Sequence, residues 1–395
     1  MALAAARPAR GDAHLPIAPG CALFTMGAFG AFVFPVFMAL VNREIPLDAH
    51  EIAILAGVEG FGGVAAAATA PWWIYRFSWR TIAIAASLAL LCGTFLTMMA
   101  TSFETLFAVR LGTSFFGAGP AASLGIAALS RTRFPDRSFG YGGAMQAIVP
   151  SAVMFAASFS MFATADRFLM LLAGIYAAAI PLFLALPGHR HEPAETGPRA
   201  RLGGRAGAIM LCVLAIAGCF QGYWAFSERV GHAVFSAQTL PTLLSLSFFM
   251  SFTAGLVPAL VAGRWPRTWI FYTTTALLAV TLAPVAIVNT QWTFAASVFG
   301  LNFVTVLLNA IGLGALADID RTGRLAATAP VFSSIGLMLG PISAAPLIAG
   351  GHYELSAFVA IAFGLLAAVA FHIAVRGPGR APHSLATAQH GTHND

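Results

Sequence analysis

The chain has 395 residues, of which 58% are hydrophobic and only 9% charged, with a mean hydropathy of +0.81 and a formal net charge of +6. A soluble domain carries charge on roughly a quarter of its residues, so this chain lacks the groups to cover a water-facing surface and most of its surface must face lipid. All 21 basic residues are arginine, which excludes a phosphate-loop ATPase motor and a lysine Schiff base.

A helix that crosses a bilayer needs roughly 20 mostly apolar residues. In chain order that length predicts a cytoplasmic tail over 1–20, too polar for a signal peptide. Six spans follow at 21–41, 52–74, 81–100, 105–129, 139–163 and 168–186. The segment 187–206 holds His189, Arg190, His191, Glu192, Glu195, Arg199, Arg201 and Arg205, and this long polar stretch reads as a cytoplasmic linker. Six further spans lie at 207–227, 235–262, 268–288, 292–316, 326–349 and 355–375, before a polar tail over 377–395. The expected fold is an all-α integral membrane protein of 12 transmembrane helices, with an N-terminal bundle over 21–186 and a C-terminal bundle over 207–376. Cys21, Cys92, Cys212 and Cys219 fall singly in apolar runs, so neither a disulfide framework nor a metal site is expected, and no cofactor.

Arginine placement sets the orientation. With the N-terminus inside, Arg43, Arg167 and Arg229 fall outside, Arg110 falls within a span, and the other seventeen fall in cytoplasmic segments. The acids divide evenly, seven on each side, with Glu59 inside a span. The bias therefore belongs to arginine alone, as the positive-inside rule requires. It predicts a multi-pass protein of the inner (plasma) membrane with both termini cytoplasmic, and it explains the basic charge without nucleic acid.

The halves echo one another. Asp136-Arg137-Ser138 before the fifth span matches Asp320-Arg321-Thr322 before the eleventh, and Arg80-Thr81 matches Arg267-Thr268. Both offsets are about 185 residues, near half the chain, as a duplicated six-helix unit would give. Parallel repeats of this kind place a solute site between the halves near mid-membrane.

These features resemble the major facilitator superfamily over essentially the whole chain. Ala317 to Arg324, ADIDRTGR, is similar to that family's loop between the tenth and eleventh helices, and Arg131 to Gly140, RTRFPDRSFG, to its loop between the fourth and fifth. Arg110 followed by Gly117 and Gly119 resembles the basic motif of its fourth helix, and Gly336-x-x-x-Gly340-Pro341 resembles its small-residue motif. The loop between the second and third spans, PWWIYRFSWR, keeps Arg76 and Arg80 but has Tyr75 where the family carries an acid. Pro150 in the fifth span lacks the preceding Gly-x-x-x-Gly of drug antiporters. The resemblance implies gating loops built on Arg76, Arg80, Asp136, Arg137, Asp320, Arg321 and Arg324.

Polar side chains in lipid must face protein or water, and three spans carry them at helical spacing. The fourth has Arg110, Thr113, Ser114 and Gly117; the seventh has Gln221, Trp224 and Glu228; the tenth has Asn302, Thr305 and Asn309. The resemblance places these same three helices around the central cavity. With Tyr223 beside Trp224, and Gln146 in the fifth span, they form the expected solute-binding set. Glu59 and Arg110 lie at similar depths, about 9–12 Å from the outer ends of their spans at 1.5 Å per residue, so they can pair if the second and fourth spans are neighbours. Glu59, Arg110 and Glu228 are the proton-coupling candidates.

The reading is a secondary active transporter of a small organic solute, with a lean to an organic anion or an amphipathic, aromatic compound. It would couple to protons and work by alternating access as a monomer in the bilayer. A multidrug-type exporter and a proton-independent facilitator are alternatives. A channel lacks a filter-like loop, and a membrane-embedded enzyme lacks HExxH, GxSxG or a clustered Asp/His set.

Overall fold

Hydrocarbon offers no water to bond a backbone amide, so a spanning segment must satisfy its own N–H and C=O groups, and a helix does so within one segment. A computed structural model of the protein describes residues 17–74, 76–130, 132, 135–162, 164–186, 188, 204–261, 265–319 and 324–376, and among them every regular element is helical. The linker as far as Gly203, apart from Gly188, and both polar tails from 1 to 16 and from 377 onward lie outside these residues.

The helices are α1 (Ile17–Val41), α2 (Ala49–Trp73), α3 (Trp79–Met98), α4 (Phe103–Thr113) and α5 (Gly119–Ser130), then α6 (Pro135–Ala156) and α7 (Ala165–Phe183). The second half contains α8 (Gly204–Trp224), α9 (Ser227–His232), α10 (Thr239–Val261), α11 (Arg267–Ile287), α12 (Gln291–Ile319), α13 (Arg324–Ile348) and α14 (Ser356–Arg376). Among the described residues nine segments are long and apolar enough to cross a membrane. Counting α4 with α5 and α8 with α9 as single traverses gives twelve spans in a multi-pass membrane protein.

Local chemistry sets the ends. Asp48 accepts from the Glu51 amide at 2.8 Å while Glu51 accepts from the Asp48 amide at 2.9 Å, a capping box that starts α2. Ser78 caps α3 by accepting from the Thr81 amide, and Ser102 starts α4 with a second capping box, through Thr105. Within the spans, hydroxyls return to the carbonyl one turn back, as Ser87 does to Ala83 and Thr94 to Leu90, both at 2.8 Å. Those residues can therefore sit in apolar helices without an unmet donor.

Two spans depart from plain helices. A π turn over Ser114–Ala118 joins α4 to α5, with Gly62 of α2 packed directly on Ser114. The seventh span, expected to end at 227, breaks at Ala225–Phe226 and continues as α9 to His232. Buried Phe226 and Val230 hold that last piece inside the bundle, and Glu228 lies in the first turn of α9.

The first half packs α1 against α5, α6 and α7, and α3 against α7; the second packs α8 against α12, α13 and α14, and α10 and α11 against α12. Among the described residues three helix pairs carry most of the packing between the halves: α2 with α13, α6 with α10, and α1 with α9. The first is a close crossing, because a Cβ on Gly60 would fall 2.7 Å from both Met338 N and Ser334 O. In the second, the Ser151 hydroxyl donates to Ser245 O at 2.9 Å and the Ser245 hydroxyl to Ser151 O at 2.8 Å. The third closes the end that carries the 42–48 loop. No comparable packing joins α5 to α12 among the described residues.

Candidate functional site

The expected partnership in the first half is present. The Arg110 guanidinium in α4 donates to the Glu59 carboxylate in α2. Its side chain is 11% exposed and that of Glu59 5%. The guanidinium carbon stands 5.0 Å from the centre of the Phe37 ring in α1, a cation–π contact. Ser114 opens the π turn and donates to the Glu59 carbonyl at 3.1 Å, so the same turn that follows Arg110 also holds the backbone of its partner. Gly30 of α1 leaves the room: a Cβ there would sit 3.2 Å from an Arg110 terminal nitrogen and 3.0 Å from the Glu59 carboxyl carbon. Arg110 Nε is buried without a hydrogen-bond partner.

Two opposite charges so enclosed are stable only together. Removing one partner of a buried pair costs about 3–5 kcal/mol, because the other is left without compensation. Only a proton on Glu59 together with an anion delivered to Arg110 would change the pair without leaving a bare charge behind. This is the chemistry the site can perform: proton exchange on a carboxylate, linked to the availability of one cation.

The seventh span supplies a different surface. Trp224 donates its indole N–H to the Phe32 carbonyl at 2.9 Å, across the two halves. It stacks on Phe220 with ring centres 5.6 Å apart and meets Phe248 edge-on at 5.2 Å. Phe32 touches both of those rings, at 5.8 and 5.5 Å. Gln221, three residues earlier on α8, is wholly buried, and among the described residues neither its amide oxygen nor its amide nitrogen has a partner. A buried amide costs free energy unless its donors and acceptors are met, so Gln221 is the side chain here that a polar solute group would most benefit.

Other expected solute contacts are engaged elsewhere. The Tyr223 hydroxyl bonds to Ser297 at 2.7 Å, tying α8 to α12. Asn302 donates to Ser247 of α10 and to Val298 O, each at 3.0 Å, and Thr305 returns to Leu301 O at 2.7 Å. Asn309 is exposed. Gln146 donates to Phe24 O at 2.9 Å, joining α6 to α1. The tenth-span stripe is thus divided: its buried part sews the second half together, and only Asn309 keeps a free face.

Of the residues expected to build gating loops, Arg80 donates through Nε to Leu186 O at 3.1 Å and Arg76 is exposed. Asp136, Arg137 and Arg324 start helices α6 and α13, while Asp320, Arg321 and Tyr75 lie outside the described residues. Glu228 meets His232 one helical turn on, and Arg43, distant in sequence, lines the same cavity at the closed end. Ser151 and Ser245 carry no signal in the sequence, since a lone serine in a span has no periodicity.

No protein-family model and no curated protein matches the chain. Solved structures do. The nucleoside transporter NupG superposes with a TM-score of 0.69 at 15% identity, covering 92% of this chain and 99% of its own. A bacterial homolog of the human lysosomal transporter Spinster, in an inward-facing and unoccupied conformation, gives 0.64 at 15% identity, with coverage of 91% and 96%. The human organic anion transporter MFSD10 gives 0.62 at 13% identity, with coverage of 90% and 98%. At these identities the likeness is one of fold over nearly the full length of both partners, and the chain has the fold of the major facilitator superfamily.

Proposed function

We propose that the chain is a proton-coupled secondary transporter that moves a small organic solute across the membrane by alternating access. The observation that carries this reading is the enclosed Glu59–Arg110 pair, an intramembrane charge couple inside a helical bundle that lipid would otherwise penalise. In the proposed cycle Glu59 takes a proton, its attraction for Arg110 falls, and Arg110 becomes available to an anionic or strongly polar group of the solute. The aromatic cluster of Phe32, Phe220, Trp224 and Phe248 would cover the solute's apolar part, and Gln221 would read a polar edge. That combination suits an organic anion or a planar amphipathic molecule. Nucleosides and organic anions, named for NupG and MFSD10, are the first solutes to try.

Contact between the halves at the 42–48 loop end, which the arginine distribution assigns to the outside, supports reading this arrangement as inward-facing. A second reading has a specific observation behind it: with Arg110 already paired with Glu59, the pair is a fixed clamp of the first bundle and transport is not proton-coupled. Ligand binding separates the two. A thermal-shift screen of the purified protein against nucleosides, organic acids and aromatic compounds should give hits whose stabilisation disappears in Arg110→Ala. Hits that stabilise Arg110→Ala as much as wild type would remove Arg110 from the solute site.

A further inference from the structure

A second charged cluster lies at the closed end, apart from the Glu59–Arg110 pair. Arg43, just past α1, and Glu228 and His232 of α9 line one cavity of about 40 Å³, closed by apolar side chains such as Val36, Leu240 and Leu244. Glu228 is only 6% exposed. One of its oxygens meets His232 Nε2 at 3.1 Å; the other is 3.8 Å from Arg229 Nε, an ion-pair distance too long for a hydrogen bond. Arg229 leans over the Tyr353 ring at 5.8 Å. Among the described residues the remaining neighbours of α9 bring no further charge to Glu228: Asn289, just before α12, and Gln291, its first residue, donate to Val230 O and Val234 O, and Glu354 bonds with His352 at 3.1 Å. Near α10 and the end of α6 the lining is Leu240, Pro241, Leu244 and Ala157.

The cluster bridges the halves. Arg43 belongs to the first and Glu228 to the second, and α1 meets α9 only at this end. We propose that Glu228 and His232 form a second proton-binding site, which latches the halves through Arg43 while Glu228 is ionised and releases them on proton uptake. The inference rests on reading the chain as an alternating-access carrier, and it adds a gate control to that reading.

The sign follows from charge. An ionised Glu228 offsets Arg43, Arg229 and, when protonated, His232. A proton from outer water that neutralises Glu228 leaves two or three cations facing one another across the α1–α9 contact, and like charges at short range in a poorly hydrated cavity repel. Acid at the outer face therefore opens that face. Proton uptake adds one charge to the cluster and breaks no covalent bond.

The full chain is reconstituted in lipid with Cys92 replaced by alanine and spin labels on Pro46→Cys and Gln238→Cys, loop positions on either side of the cluster. The distance distribution is measured at pH 8 and at pH 5. Wild type should be short at pH 8 and should gain a long-distance population at pH 5. Glu228→Gln should show the long population at both pH values, and Arg43→Gln, a change at an exposed position that folding tolerates, should do the same. A Glu228→Gln or Arg43→Gln protein that stays short at pH 8 and still responds to acid overturns the latch, as does a wild type whose distances ignore pH. Glu59→Gln separates the two ideas: it should lose proton-driven flux yet keep the acid response of its labels. Flux lost with labels still responsive leaves the latch standing, while labels unresponsive with flux intact removes the latch alone.

Discussion

Trp224 and Phe32 are joined by one hydrogen bond, from indole nitrogen to backbone carbonyl at 2.9 Å, and that bond runs from the seventh span to the first across the boundary between the halves. It sits inside the aromatic cluster that the same two residues build with Phe220 and Phe248. An aromatic contact is non-directional enough to slide, but a hydrogen bond to a fixed carbonyl has one register. The bond thus selects one arrangement of the two halves.

Trp224→Phe keeps a ring and loses the donor. One such bond contributes about 0.5–1.5 kcal/mol net, so the closed arrangement should become several-fold less favoured without unfolding the protein. A cysteine at Ala39, which lines the cavity at that end, should then react faster with a water-soluble maleimide. Equal rates in wild type and Trp224→Phe would show that the bond does not hold the closed form.

Glycine at position 60 is required by the close crossing of α2 and α13. Gly60→Leu should reduce the thermal stability of the purified protein, consistent with an overpacking cost of about 1–3 kcal/mol. Gly112, with nothing near its would-be Cβ, supplies the control: Gly112→Ala should leave the melting temperature essentially unchanged or slightly raised. Equal effects at the two positions would count against tight packing at the crossing.

Asn302 and Arg110 were expected to face one solute, and their surroundings now separate them. Asn302 is consumed by Ser247 and Val298, so Asn302→Leu should lower stability by about 1–3 kcal/mol, the cost of a buried group left unmet, while solute affinity in the surviving protein stays near wild type. A large loss of affinity with unchanged stability would return Asn302 to the binding surface.

Much of this was legible in the sequence, for a physical reason. Hydrocarbon penalises polar groups so heavily that their positions report on packing, and matched depth permits Glu59 to pair with Arg110 provided that the second and fourth spans are neighbours. Span number followed from length and apolarity. The break at Ala225–Phe226 and the π turn after Arg110 did not, because both arise from neighbours packing on a helix that looks uninterrupted as text. The division of the tenth-span stripe was equally hidden: spacing puts Asn302, Thr305 and Asn309 on one side of α12, but only the arrival of α10 decides which of them is covered. His232 and Arg43 lie too far apart in the chain for any motif to connect them.

The pair itself is open to a stability test. Arg110→Gln and Glu59→Gln should each destabilise by about 3–5 kcal/mol, while the double variant recovers much of that loss, since the cost of one bare charge vanishes when both are gone. Additive losses in thermal unfolding would mean that the two side chains do not share their energetics.

The most direct measurement is solute flux in proteoliposomes under an imposed pH gradient, using a solute found by the binding screen, for wild type, Glu59→Gln and Arg110→Ala. Proton coupling through the pair requires that wild type concentrate the solute, that a protonophore abolish the concentration, and that both variants fail to concentrate it. Concentrative uptake that survives in Glu59→Gln and Arg110→Ala would contradict that role.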